Sequence, residues 1–277
     1  MKYSGAMRAC VFLLMSVAMF GCKPDPSVAP TTQVGSDAVD EAAASKAPVK
    51  LEDVLDITPD YVIGISYPEP SVPYPELAAE MQRYAEGARA EFLEAVQSRA
   101  SDDREKMLYD LSLNFSQIAD SPQVVAYAAE GSSFTGGAHG TPLLARFIWL
   151  PQQDKRLSST DLVPAAQGWE AIATYVREEL HTALSQRVDA DELGPGERAE
   201  VIKSAGHMID EGTTPDPENF ANFEPVVNAG GKLTALRFVF APYQVGPYAD
   251  GVQTVEVPAS VLLPHVAPQH RDLFVQG

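Results

Sequence analysis

From Leu236 to Phe240 the chain alternates, with Leu236, Phe238 and Phe240 set against Arg237 and Val239, and the run stops in A-P-Y-Q-V-G-P-Y-A-D-G at Ala241–Gly251. A period of two fits a half-buried strand, and a cluster of Pro and Gly straight after it demands a turn of defined shape. A chain that spends two Pro, two Tyr and two Gly on one connection is fixing the direction of that connection.

The rest of the sequence supplies both helices and strands. Y-V-I-G-I-S-Y at Tyr61–Tyr67 reads as a strand, and Pro68, Pro70, Pro73 and Pro75 stop any ladder after it. Pro75 suits the first position of a helix and Glu76 its first turn. Leu77, Met81, Tyr84, Ala88, Phe92 and Val96 then recur at helical spacing, which predicts an amphipathic helix over Pro75–Arg99. Leu111–Ser116 alternates as a strand, Ser121-Pro122 turns, and Gln123–Glu130 forms the next strand. Leu143–Leu150 reads as a buried strand, followed by a turn at Gln152–Lys155. Trp169, Ile172, Val176, Leu180 and Leu184 share one helix face, and a weaker helix is expected at Glu197–Ile209 after Gly194-Pro195-Gly196. Strands at Phe220–Val227, Leu233–Ala241 and Gln253–Val257 close the chain. The expected fold class is α+β: two small α/β units with mixed or antiparallel sheets and packed helices. Their boundary is placed at the glycine-rich stretch near Gly136–Pro142, giving units 51–138 and 139–277.

The N-terminus speaks to compartment. Lys2 and Arg8 precede an apolar run, Ala9–Phe20, which has the form of a secretory signal and is too short to span a bilayer. Gly21-Cys22 resembles a lipoprotein processing site, so residues 1–21 are expected to be removed and Cys22 to carry lipid. By analogy with the sorting of lipoproteins in diderm bacteria, whose processing site this one resembles, Lys23 after that cysteine implies the outer membrane, facing the periplasm. Residues 22–50 lack aromatic side chains and cannot bury enough surface to order themselves. A flexible tether of that length reaches about 30 Å root-mean-square. With Cys10 lost and Cys22 acylated, the folded part holds no disulfide, thiolate ligand or cysteine nucleophile.

The formal net charge of −18 disfavours nucleic acid, because no basic face could neutralise phosphates, and favours a cationic partner. The 45% of hydrophobic residues is ample for a core. The sequence carries no G-x-S-x-G, S-x-x-K, H-E-x-x-H or G-x-x-x-x-G-K motif. Its five histidines, His139, His181, His207, His265 and His270, include no pair at metal-ligand spacing on one element, so neither metal nor cofactor is expected. Adjacent carboxylates such as Glu178-Glu179 do not face each other on a helix.

His139 stands out, flanked by Gly136, Gly137 and Gly140 in F-T-G-G-A-H-G, because glycine lets a ring approach another segment closely. Tyr243, Tyr248, Asp250 and Gly251 are the companion candidates. Tyrosines on a rigid Pro/Gly turn carry contact area at little rotamer cost, which suits a partner-binding surface.

The G-G-A-H-G block at Gly136–Gly140 and F-A-P-Y-Q-V-G-P-Y-A-D-G at Phe240–Gly251, followed by V-E-V-P and Leu262-Leu263, together resemble the extracellular domain of the lysozyme-sensing anti-sigma-V factors. The resemblance runs over roughly 60–266. It implies a non-catalytic module that binds a lysozyme-like muramidase or a peptidoglycan fragment. The same module precedes a polysaccharide deacetylase domain in some peptidoglycan-modifying enzymes, whereas this chain carries neither a deacetylase motif nor a sigma-binding part. The alternative is a cell-envelope hydrolase working in an interdomain cleft near His139.

Overall fold

Two strands in parallel need a long crossover between them, and the helix predicted at Pro75 is that crossover. In the computed structural model, which describes residues 47–69, 71–99, 107–191 and 193–276, β1 (Val54–Ile57) pairs antiparallel with β2 (Tyr61–Ser66). Helix α1 (Pro75–Ser98) carries the chain over to β3 (Tyr109–Asp120), which runs parallel to β2. From there β4 (Val125–Phe134), β5 (Thr141–Leu150) and the short β6 (Lys155–Arg156) follow as an antiparallel meander, giving a six-stranded mixed sheet in sequence order. Pro75 occupies the start of α1, and Leu77, Ala78, Met81, Ala85 and Phe92 turn its buried face to the sheet.

The middle of that sheet is buried on both sides. Val125, Tyr127, Ala129, Phe147 and Trp149 pack under α1, while their neighbours Ala126, Ile148 and Leu150 enter a second core. The period-two pleat thus hands alternate residues of the same strands to two different cores. The second core is built on α2 (Ser159–Leu162), α3 (Ala166–Ala190), α4 (Pro195–Gly212) and a three-stranded antiparallel sheet of β7 (Phe223–Val227), β8 (Leu233–Phe240) and β9 (Gln253–Pro258), closed by α5 (Ala259–Leu262). Trp169 stacks on Phe220 and donates its indole N–H to the Val163 carbonyl at 2.9 Å. β7 lies against β3 and β5.

The α+β class is therefore as the sequence predicts. The expected boundary at 138/139 falls in the turn between β4 and β5, which pair from Val125↔Trp149 to Ser133↔Thr141. The two halves share one sheet, and the described residues fall within one compact unit. The signal segment, Cys10, Cys22 and nearly all of the tether lie outside the described residues. No helix among the described residues is long and apolar enough to cross a membrane.

His270, in the 3-10 turn at Pro268–Leu273, is buried, and its pKa is lowered, first by burial and then by Lys155, with Asp161 opposing. A ring that resists protonation only in the folded state makes the unfolded chain bind more protons near pH 6. Its contribution to stability is therefore complete above the unfolded value near 6.5 and is lost as pH falls below it. Urea unfolding between pH 7.5 and 5 should show this loss, and His270→Gln should flatten the curve. An equally steep curve in the variant would assign the dependence to other groups.

Candidate functional site

Tyr243 sits where few tyrosines do. After β8 the chain turns through Ala241–Gly251, and Tyr243 takes φ +74°, a left-handed conformation that a bulky residue adopts only under outside constraint. The turn is held from several sides. The Tyr243 N–H donates to the Gly246 carbonyl at 3.0 Å, and Val245 is buried. The Gln244 side-chain amide donates to the Asn219 carbonyl at 2.9 Å. Despite this Tyr243 is 53% exposed.

What it meets is His139. The β4–β5 turn passes through Gly136 (φ +103°) and Gly137 (φ +96°), conformations natural to glycine, and delivers the imidazole to the Tyr loop. Its Nδ1 is 3.2 Å from the Gly140 carbonyl, which can only accept, so Nδ1 carries the proton. With Nδ1 as the donor, the Nε2 lone pair is placed to accept from the Tyr243 hydroxyl, 2.7 Å away. Tyr248 covers the imidazole face, with ring centroids 3.8 Å apart and planes 12° apart. Three of the five residues singled out in the sequence thus form one cluster, although His139 lies more than a hundred positions from the two tyrosines.

The fourth, Asp250, faces the other way. Its Oδ2 lies 2.8 Å from Arg187 Nη1 on α3, with the side chain only 17% exposed. Asp250 therefore anchors the loop to the helix and presents little to solvent. Gly251 follows at φ +68° and redirects the chain into β9.

Beside the cluster opens a cavity of about 320 Å³ lined by Glu130, Ser132, Leu144, Pro242, Tyr248 and Val252, among others. Glu130 belongs to a run of charges that the sequence did not disclose. Arg146, with only 2% of its side chain exposed, donates to Glu130 at 2.6 Å and to Glu224 at 2.8 Å. Arg237 in turn reaches Glu224 at 3.2 Å and pairs with Glu256. Only strand registers bring these residues together, and no local pattern marks them. Chemically, both ring nitrogens of His139 are engaged, by a carbonyl and a phenol. The arrangement offers aromatic contact area and one exposed carboxylate.

Fold and site define an α+β protein with an aromatic cleft between a sheet hairpin and a rigid Pro/Tyr/Gly loop. Residues 161–260 match a family model described as Protein of unknown function (DUF3298). That stretch contains the tyrosine loop and leaves out His139. Among solved structures, the chain is similar to a member of the DUF3298 family from Bacteroides fragilis, at 15% identity and a TM-score of 0.50, over 79% of this chain and 93% of that one. It is also similar to a DUF3298 family protein from Pseudomonas aeruginosa, at 17% identity and a TM-score of 0.45, over 82% and 94%. The first likeness, at its low identity, speaks for the fold alone. No curated protein matches the sequence.

Proposed function

We propose that this chain is a periplasm-facing envelope lipoprotein, anchored through Cys22, whose aromatic cleft is a non-catalytic binding module for a lysozyme-like muramidase or a peptidoglycan fragment. The observation that carries the reading is Tyr243. A large side chain held in left-handed backbone, locked to His139 and still half in solvent, costs about 1–3 kcal/mol that a glycine at the same position would not. Strain kept at an exposed site supports a role in recognition, where a rigid tyrosine loses little entropy on contact. The net charge of −18 supports a basic partner by speeding encounter, and the resemblance to the anti-sigma-V factors supplies the class of partner.

Calorimetric titration of the full chain with a basic lysozyme, at low and moderate salt, tests this. Binding should weaken with salt and fall at least about tenfold in Tyr248→Ala. Tyr243→Gly should lose binding similarly while its stability stays within about 1 kcal/mol of the parent, because strain relief offsets the lost contact. No heat with lysozyme at either salt concentration would remove the muramidase from the proposal.

A further inference from the structure

A second surface lies on the open face of the six-stranded sheet. Among the described residues nothing covers this face over β1–β3, and a groove of about 390 Å³ runs there, meeting the aromatic cleft only at Glu130. Strand registers set its floor in rows. Inside the groove Ser66, Asn114 and Glu130 lie opposite one another, as do Leu55, Gly64 and Ser112, and the same rows run on into the cleft lining at Leu144 and at Ser132 and Pro142. The rows are polar in the middle and apolar at their ends, at Leu55, 74% exposed, on β1 and at Leu144 and Pro142 on the cleft side. At the usual strand spacing the full row from Leu55 to Pro142 spans ~19 Å.

The chemistry of the floor selects the ligand. The Ser66 hydroxyl lies 2.8 Å from Asn114 Oδ1 and donates to it, which leaves the Asn114 amide free to donate outward. Asp53 gives one oxygen to the Tyr67 N–H at 2.9 Å and keeps the other for a ligand. The groove lining holds the carboxylates of Asp53 and Glu130 and no cationic side chain; Glu130 gives Oε1 to Arg146 behind it and has Oε2 left. β2, β3 and β4 have partners on both sides, so their backbone groups are spent in ladders and an extended peptide on this face gains no main-chain bonds. A flat ligand with many hydroxyls, apolar C–H faces and positive charge satisfies all of these features. We infer that the open-face groove binds an oligosaccharide of amino sugars with free amines, lying across the strands. Its hydroxyls meet Ser66, Ser112 and Asn114, its amines meet Asp53 and Glu130, and its ring faces rest on the apolar ends. The inference uses none of the aromatic residues of the cleft and needs no protein partner.

Calorimetric titration of the full chain with a glucosamine tetrasaccharide, at mildly acidic pH where its amines are protonated, is the test. Binding should fall at least about fivefold in Ser112→Leu, which fills the floor at an exposed position, and about threefold in Asp53→Asn, with thermal unfolding of both variants unchanged. Tyr248→Ala should bind the sugar as the parent does, which separates this site from the cleft. No heat, or binding indifferent to both groove variants, overturns the assignment. Equal affinity for the N-acetylated tetrasaccharide overturns the charge argument, and tighter binding of tetralysine replaces the glycan with a basic peptide.

Discussion

Replacing Arg146 by Met should cost about 3 kcal/mol of stability, because removing one partner of a buried ion pair strands the other. Arg146 stands on β5 with its guanidinium withdrawn from solvent, bridging Glu130 on the same sheet and Glu224 on β7. It thus joins the two sheets by charge where they meet. Of the two carboxylates, Glu130 has 59% of its side chain in solvent and can rehydrate, whereas Glu224 has only 15%. Glu224 keeps Arg237 at 3.2 Å, which holds the expected cost at the low end of the usual range. For a chain of this size that is a fall in Tm of about 6–12 °C. The double variant Arg146→Met/Glu224→Gln should recover at least half of the loss, since the uncompensated charge goes with the second change. If the double variant is no more stable than Arg146→Met, the cost lies in packing of the arginine stem and the charge argument fails.

How much of this was legible beforehand depends on whether the information is local. α1 is written into Pro75, Glu76 and the recurring apolar residues, and the structure starts and nearly ends where that pattern does. β8 and the turn after it are equally explicit. β1 is not, because Leu55 and Ile57 face solvent and V-L-D-I offers no buried alternation to read. The glycine run at Gly136–Gly140 reads as a boundary, since composition cannot distinguish a linker from a hairpin turn that needs positive φ twice. The site divides in the same way. His139, Tyr243 and Tyr248 are conspicuous because glycine and proline frame them, but their meeting depends on tertiary packing. Glu130 and Arg146 carry no local mark, because a cross-strand neighbour is set by register. Asp250 looks like its neighbours in sequence and differs only in having Arg187 within reach.

The loop's dependence on α4 can be tested by a single methyl group. Gly212, the last residue of α4, comes so close to the loop that a Cβ there would lie 1.9 Å from the Gln244 carbonyl oxygen and 3.0 Å from Val245 Cγ1. Real atoms do not approach so closely, and the obstruction is backbone, so in Gly212→Ala either the loop or the helix end must move. Overpacking of this kind costs about 1–3 kcal/mol. The displaced segment carries Tyr243 next to Gln244, so the 2.7 Å contact with His139 should break as well. Two readouts should therefore move together: a Tm lower by about 4–8 °C for a loss near 2 kcal/mol, and altered His139 ring signals in NMR. Gly87→Ala is the matched control, since a Cβ there meets nothing within 4 Å on an exposed turn of α1. Alanine in a helix interior should raise stability by about 0.5–1 kcal/mol and leave His139 untouched. Opposite signs from the same chemical change at two helical glycines would show that α4 seats the tyrosine loop. A Gly212→Ala protein with parental Tm and unchanged His139 signals would mean that the loop is held by Asp250, Arg187 and Gln244 without the helix end.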